Sequence, residues 1–429
     1  MMLLLLFGSF FVMLALGVPI VFSLALSAAA YFMANGIPMM QLITKLVAGV
    51  DSFTILAIPF FLLAGDLMSN GGISRRMLRF ASALVGHLSG GIAVTGVVSC
   101  AMFGSICGSA PATAASIGSI VVPEMKRTGY RDGFTGAIMS ASGLLGVVIP
   151  PSIVMVMFGA TAGISIGSLF IGGIIPGLLF AGGLAAYSIY QSRKRNYGVL
   201  ADGSRVSFSG KELRDSFIDA ILPLTTPLFI MGSIMFGIAT ATEAAVISVV
   251  WSLFLALVIY REITVRQTAT IFIESVARSG RIIGMMGASV AFSYAMTVEN
   301  VPATMAAFFV QYINSEIGFF LITLLIVFVL GCFLETIAII VMVTPILLPI
   351  ALAMNIEPLH FGMFMCMALT SSGITPPVGL CLITTCQIVG VKIEETFPEL
   401  FHCIGIELAV TFLVMFFPAI ATWLPSVFM

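Results

Sequence analysis

Apolar runs of about twenty residues, each the length of a membrane-crossing helix, recur along the whole chain. The strict two-residue alternation of a membrane barrel is absent. The pattern predicts an all-α polytopic membrane protein. One polar stretch interrupts it, QSRKRNYGVLADGSRVSFSGKELRD (191–215), which carries Arg193, Lys194, Arg195, Arg205, Lys211 and Arg214. A basic loop between apolar blocks is expected on the cytoplasmic side. Residues 191–216 are therefore expected to form a cytoplasmic connector between two nearly equal halves, 1–190 and 217–429. The opening run, MMLLLLFGSFFVMLALGVP, has no basic start and no small-residue cleavage site, so it is expected to be a retained helix and not a signal peptide.

The halves align with each other. Pro123, Pro150 and Pro151 recur as Pro349, Pro376 and Pro377 at one constant offset. GISIGSLF (163–170) and GVKIEETF (390–397) share Gly, Ile and Phe with a shift of a single further residue. Each half is expected to hold scaffold helices, a re-entrant hairpin (near 90–125 and near 317–356) and a broken helix (near 133–162 and near 359–390). Basic residues sit at opposite ends of equivalent elements. Lys126, Arg127 and Arg131 follow Pro123, whereas no Lys or Arg follows Pro349 until Lys392. Arg75, Arg76 and Arg79 correspond to Ala303, Thr304 and Ala307. Arg278 and Arg281 precede the second-half helix near Ile282, where the first half offers only Lys45. Under the positive-inside tendency the two copies are inverted repeats, a design of secondary transporters with discontinuous helices.

The doubled prolines then acquire a meaning. Proline lacks an amide hydrogen and clashes with the preceding turn. In a continuous helix Pro150 and Pro151 would orphan the carbonyls of Gly146 and Val147, and Pro376 and Pro377 those of Ser372 and Gly373. In hydrocarbon such groups need protein, water or an ion. A kink packed by its neighbours would explain a single instance. Two instances at equivalent places favour broken helices with carbonyls aimed at a cation, helped by the permissive Gly143, Gly146 and Gly373.

A small polar patch accompanies each break. In GSICGSAPAT (104–113), Gly108 permits close backbone approach and Ser105, Ser109 and Thr113 offer hydroxyls, although small residues also serve plain helix packing. In GCFLET (331–336), Gly331 and Thr336 flank Glu335, an ionisable group within apolar sequence and a functional candidate by position. Glu243 either lines a cavity or starts a helix. Arg75, Arg76 and Arg79 are expected on the wet face of an interfacial helix.

Composition narrows the classes. The chain has 429 residues, of which 60% are hydrophobic and 9% charged, and its mean hydropathy is +1.16. A soluble fold could not hide that surface. A net charge of −1 suggests no nucleic-acid partner. The 7 cysteines form no CxxC pair and are expected as buried small hydrophobes, and the 3 histidines lack metal-ligand spacing. No HExxH, Walker A or G-x-S-x-G motif occurs, so an enzyme is not indicated and energy would come from an ion gradient. Backbone carbonyls carry no transferable proton, which favours Na⁺ over H⁺; Glu335 keeps a proton role open.

Several segments resemble one family. LAIPFFLLAGDLMSNGGI (56–73), GSAPATAASIGSIVVPEMKRTGY (108–130), GLLGVVIPPSI (143–153), LFIGGIIPG (169–177) and ITPPVGL (374–380) look like the large membrane (permease) subunit of tripartite ATP-independent periplasmic (TRAP) transporters. The likeness covers nearly the whole chain and departs at TATE (240–243), where the family tends to have TPTE.

The resemblance implies sodium-coupled import of a carboxylate-bearing solute, such as a C4-dicarboxylate or a sialic acid, across the bacterial inner membrane. It implies an ion-transporter fold with an elevator-type cycle. It further implies two partners, a periplasmic substrate-binding protein and a small membrane subunit, the latter expected as a separate chain. The family's ion sites map onto Ser105, Gly108, Ser109, Gly143, Gly146, Val147, Gly331, Thr336, Ser372 and Gly373, with Na⁺ as the coupling ion and no organic cofactor. Its solute site maps onto Ser109, Thr113, Glu335, Thr336 and Thr375, and the helix breaks onto Pro150, Pro151, Pro376 and Pro377. A stand-alone ion-coupled symporter or exchanger on the same plan is the alternative; an intramembrane enzyme or a passive channel is a more distant one.

Overall fold

Proline and glycine set where the helices stop, and burial sets which of them lie at the centre. The computed structural model describes residues 2–198, 207–313, 315–376 and 379–429, and the regular elements among them are all helical. The first half begins with α1 (Met2–Ala15), α2 (Ile20–Ala34), α3 (Met39–Ala48), α4 (Ala57–Asn70) and α5 (Ile73–Val85). Next come α6 (Gly91–Cys107) and α7 (Ala110–Arg127), packed together across a tip at Gly108 and Ser109. Then follow α8 (Asp132–Gly143), the single turn α9 (Leu145–Val148), α10 (Ile153–Ala162) and the long α11 (Ile166–Arg195).

The second half has α12 (Gly210–Met235), α13 (Ala241–Phe254), α14 (Val265–Val298) and α15 (Val301–Phe308). It repeats the order of helix pair then interrupted helix with α16 (Glu316–Gly331), α17 (Thr336–Ala353), α18 (Pro358–Ser372) and α19 (Leu380–Val389). It closes with α20 (Phe397–Phe416) and α21 (Ala419–Phe428).

Among the described residues, 7 helices are long and apolar enough to cross a membrane, or up to 8 when 132–148 and 153–162, bent by 44°, are taken as one span. This is a multi-pass membrane protein. Its interior is organised round the interrupted helices. In α18 every residue from His360 to Ser372 is buried, the mark of a helix enclosed on all sides. By contrast α12 leaves Leu228 and Phe229 exposed, as a lipid-facing helix does. The cysteines are free thiols, all buried except the half-buried Cys332.

One expectation about charge changes, one gains detail and one open choice is decided. Arg278 and Arg281 do not precede a helix; both lie inside the continuous α14, because the capping box of Thr264 and Gln267 starts that helix far upstream. They therefore do not mark a membrane face. Arg75 and Arg79 are exposed, as a wet face requires, and Arg79 also has partners. It bonds Glu212 at 2.8 Å and Asp219 at 2.5 Å on α12, while Arg76 lies 3.7 Å over the Tyr260 ring. These contacts brace α5 against its neighbours. Glu243 starts a helix: its carboxylate accepts the Thr240 amide at 2.8 Å in a complete capping box.

Candidate functional site

The two interruptions are built differently. After α9 the chain turns through a cis Pro150–Pro151 bond. Pro151 has no amide to offer the Val147 carbonyl, and the Ser152 hydroxyl donates to that oxygen at 2.6 Å instead. Beyond α18, the Gly373 carbonyl accepts the amides of Cys381 at 3.0 Å and Leu382 at 3.3 Å, so the start of α19 folds back over the break. Carbonyl oxygens have two lone pairs, so that of Val147 retains capacity for a further partner, whereas that of Gly373 already accepts two amides. Pro376 lies within the second break; Pro377 lies outside the described residues.

Each helix-pair tip is pinned to its own interruption. Gly108 adopts φ +66, which glycine reaches without steric cost, and its carbonyl accepts the Ile153 amide at 3.2 Å. Behind it, a Cβ on Gly104 would stand 2.6 Å from the Gly146 Cα, so the two backbones touch. The fully buried Thr113 points its hydroxyl at Gly146 and has no oxygen or nitrogen partner among the described residues. Ser105 donates to the Met102 carbonyl at 2.6 Å. In the second half the Thr336 and Ser372 hydroxyls are 3.0 Å apart, and a Cβ on Gly331 would stand 3.1 Å from the Ser372 Cα. Thr375 donates to the Ser371 carbonyl at 2.7 Å.

The interruptions also meet each other. A Cβ on Gly143 would stand 2.7 Å from Cys381 Sγ, and one on Gly373 the same distance from Leu144 Cδ2. The Cys381 thiol donates to the Ser140 carbonyl at 3.1 Å.

A cavity of about 830 Å³ opens where both tips and both interruptions converge. Of the residues singled out by sequence, it is lined by Gly108, Ser109, Val147, Glu335, Thr336 and Gly373. Ser105, Thr113, Gly143, Gly146, Gly331, Ser372 and Thr375 are not in its lining; they form the packed layer of the tips and interruptions. A further wall is α14, which contributes Arg278 and Arg281. Sequence reading missed both as site residues. The signal was present: the capping box at Thr264 starts a long apolar helix, and counting from it places Arg281 mid-helix. Arg278 is neutralised by an ion pair with Asp66 on α4.

Comparison with known proteins agrees with this architecture. Residues 7–420 match the family model "Tripartite ATP-independent periplasmic transporter, DctM component". The chain belongs to this family. It is therefore a component of a transporter, a kind of protein that is not an enzyme. It is 38% identical over 417 residues to the isethionate TRAP transporter permease protein DctMQ of Oleidesulfovibrio alaskensis, covering 97% of this chain but 65% of that protein. It is 34% identical to the C4-dicarboxylate TRAP transporter large permease protein DctM of Rhodobacter capsulatus, covering 99% and 98% of the two chains. The sialic acid TRAP transporter large permease protein SiaM of Vibrio cholerae is 32% identical, covering 98% and 99%. Among solved structures, the Alcanivorax borkumensis YdaH transporter shares the fold at a TM-score of 0.60 and 14% identity, over 89% of this chain and 90% of that one.

Proposed function

We propose that this DctM-family chain imports a small organic acid across a bacterial inner membrane, driven by a sodium gradient. The observation that carries the reading is the convergence of two helix tips, two helix interruptions and a guanidinium on one cavity. Sodium binds at each tip–interruption junction. Ser105, Gly108, Ser109, Gly143, Gly146 and Val147 form the first seat; Gly331, Thr336, Ser372 and Gly373 form the second. The buried Thr113 hydroxyl suits the oxygen-rich surroundings that a hard cation requires.

Ion binding orders the tips, and the solute then settles in the cleft lined by Ser109, Glu335 and Thr336, with Thr113 and Thr375 in the packed layer behind it. The two halves are inverted repeats, each contributing a re-entrant hairpin and a broken helix to a transport domain. That domain moves against scaffold helices in an elevator-type cycle. A periplasmic binding protein delivers the solute, and a small membrane subunit completes the assembly as a separate chain. The names of the relatives, which span isethionate, C4-dicarboxylate and sialic acid TRAP permeases, support an organic acid as cargo.

The test is uptake into proteoliposomes holding this chain and its small subunit, with the cognate binding protein outside and an imposed sodium gradient. Uptake is expected only with both the binding protein and inward sodium. Uptake without the binding protein would favour a stand-alone symporter, and uptake indifferent to sodium would overturn the coupling.

A further inference from the structure

The charges round the cavity do not cancel in the way a dianionic cargo would need. Arg278 is already matched by Asp66. Arg281 and Glu335 both line the cavity, and neither forms an ion pair among the described residues. The two groups therefore face one shared space.

Position strengthens the case for Arg281. At 1.5 Å per residue it lies about 24 Å from one end of α14 and about 25 Å from the other, in a helix about 50 Å long. A hydrocarbon core is about 30 Å thick, so an upright α14 that spans it holds Arg281 inside wherever the core falls along its length. An unmatched guanidinium at that depth is sustained by a water-filled cavity and an anion. Glu335 stands at the N-terminal boundary of α17 and makes no capping bond with its side chain. Its carboxylate therefore stays available to the cavity as a hydrogen-bond acceptor.

Resting on the organic-acid reading above, we infer that Arg281 anchors the single anionic group of the cargo and that Glu335 selects its other end. The cargo is a small monoanion with a hydrogen-bond donor, such as a hydroxyl, at its far end. A dianion of similar length would bring its second charge towards Glu335, and like charges facing one another disfavour it. Arg281 supplies affinity for every anion, because a planar guanidinium binds carboxylate and sulfonate alike. Glu335 supplies the discrimination.

The experiment measures binding to the purified full chain with its small membrane subunit in lipid nanodiscs, by calorimetry, in sodium chloride and in choline chloride. The probes are two pairs of similar length: 2-hydroxyethanesulfonate against sulfoacetate, and 3-hydroxypropanoate against malonate. The hydroxylated monoanion of each pair is expected to bind at least about tenfold tighter than its dianion. Glu335→Gln is expected to erase that preference by tightening the dianions. Arg281→Gln is expected to weaken all four probes by about tenfold or more, with partial recovery in Arg281→Lys.

Retention of the preference in Glu335→Gln, or wild-type affinities in Arg281→Gln, would overturn the inference. If Arg281→Gln fails to fold, Arg281→Lys and Glu335→Gln still decide it. The outcomes separate this inference from the reading beneath it. A wild-type protein that binds no probe in either salt overturns organic-acid binding and this inference together. Monoanion preference that ignores sodium overturns the coupling and supports the assignment of Glu335.

Discussion

The hydroxyls of Thr336, at the first turn of α17, and Ser372, at the end of α18, lie 3.0 Å apart and tie the second tip to its interruption. A pair of oxygens held at that spacing can be bridged by one hard cation. Ser372→Leu, made together with Gly373→Leu, is expected to raise the sodium concentration for half-maximal uptake by about tenfold. Sodium activation curves in proteoliposomes read the shift, and an unchanged curve counts against this seat.

The contact between Gly104 and Gly146 inverts an ordinary trend. Glycine to alanine within a helix usually stabilises by about 1 kcal/mol. Gly104→Ala puts a methyl 2.6 Å from the Gly146 Cα and is expected to destabilise by about 1–3 kcal/mol through overpacking. Gly182, with nothing within 4 Å of a built Cβ, is the matched control. Thermal unfolding in detergent should show a lower Tm for the first variant and no loss for the second.

The Asp66–Arg278 pair spans α4 and α14 with side chains 14% and 40% exposed. Asp66→Ala strands a charge at the cavity wall, and Asp66→Ala with Arg278→Ala removes the mismatch. A coupling of about 1–2 kcal/mol is expected from the double-mutant cycle, after allowance for the half-exposed guanidinium. Additive effects would show that the pair is incidental.

Glu243 belongs to a cap and not to a cavity. Glu243→Ala is expected to cost about 1 kcal/mol of stability and to leave the uptake KM unchanged. A changed KM at constant stability would return Glu243 to the transport path.

The positions of the breaks were legible because proline and glycine act locally. An amide missing at Pro150 or a glycine at 146 limits the backbone whatever surrounds it, and both interruptions fall where the prolines stand. The tip at Gly108 was legible for the same reason. Arg281 was not read as a site residue because its role depends on register over a long helix; treating it as a loop charge assigned it to the wrong environment. The bracing by Arg79 was hidden for a different reason. Its partners Glu212 and Asp219 lie across the polar connector, and nothing local to α5 announces them. Nor could the chain alone reveal that Ser152 supplies the donor that Pro151 lacks, since a serine hydroxyl has many carbonyls within reach.

Because Gly143 abuts Cys381 and Leu144 abuts Gly373, neither interruption can loosen without disturbing the other. On the sodium reading proposed above, occupancy at one would be felt mechanically at the other, with no relay of intermediate residues required. Under that reading the carrier would resist slippage: a half-loaded state would leave one hinge soft, and a soft hinge would soften its twin.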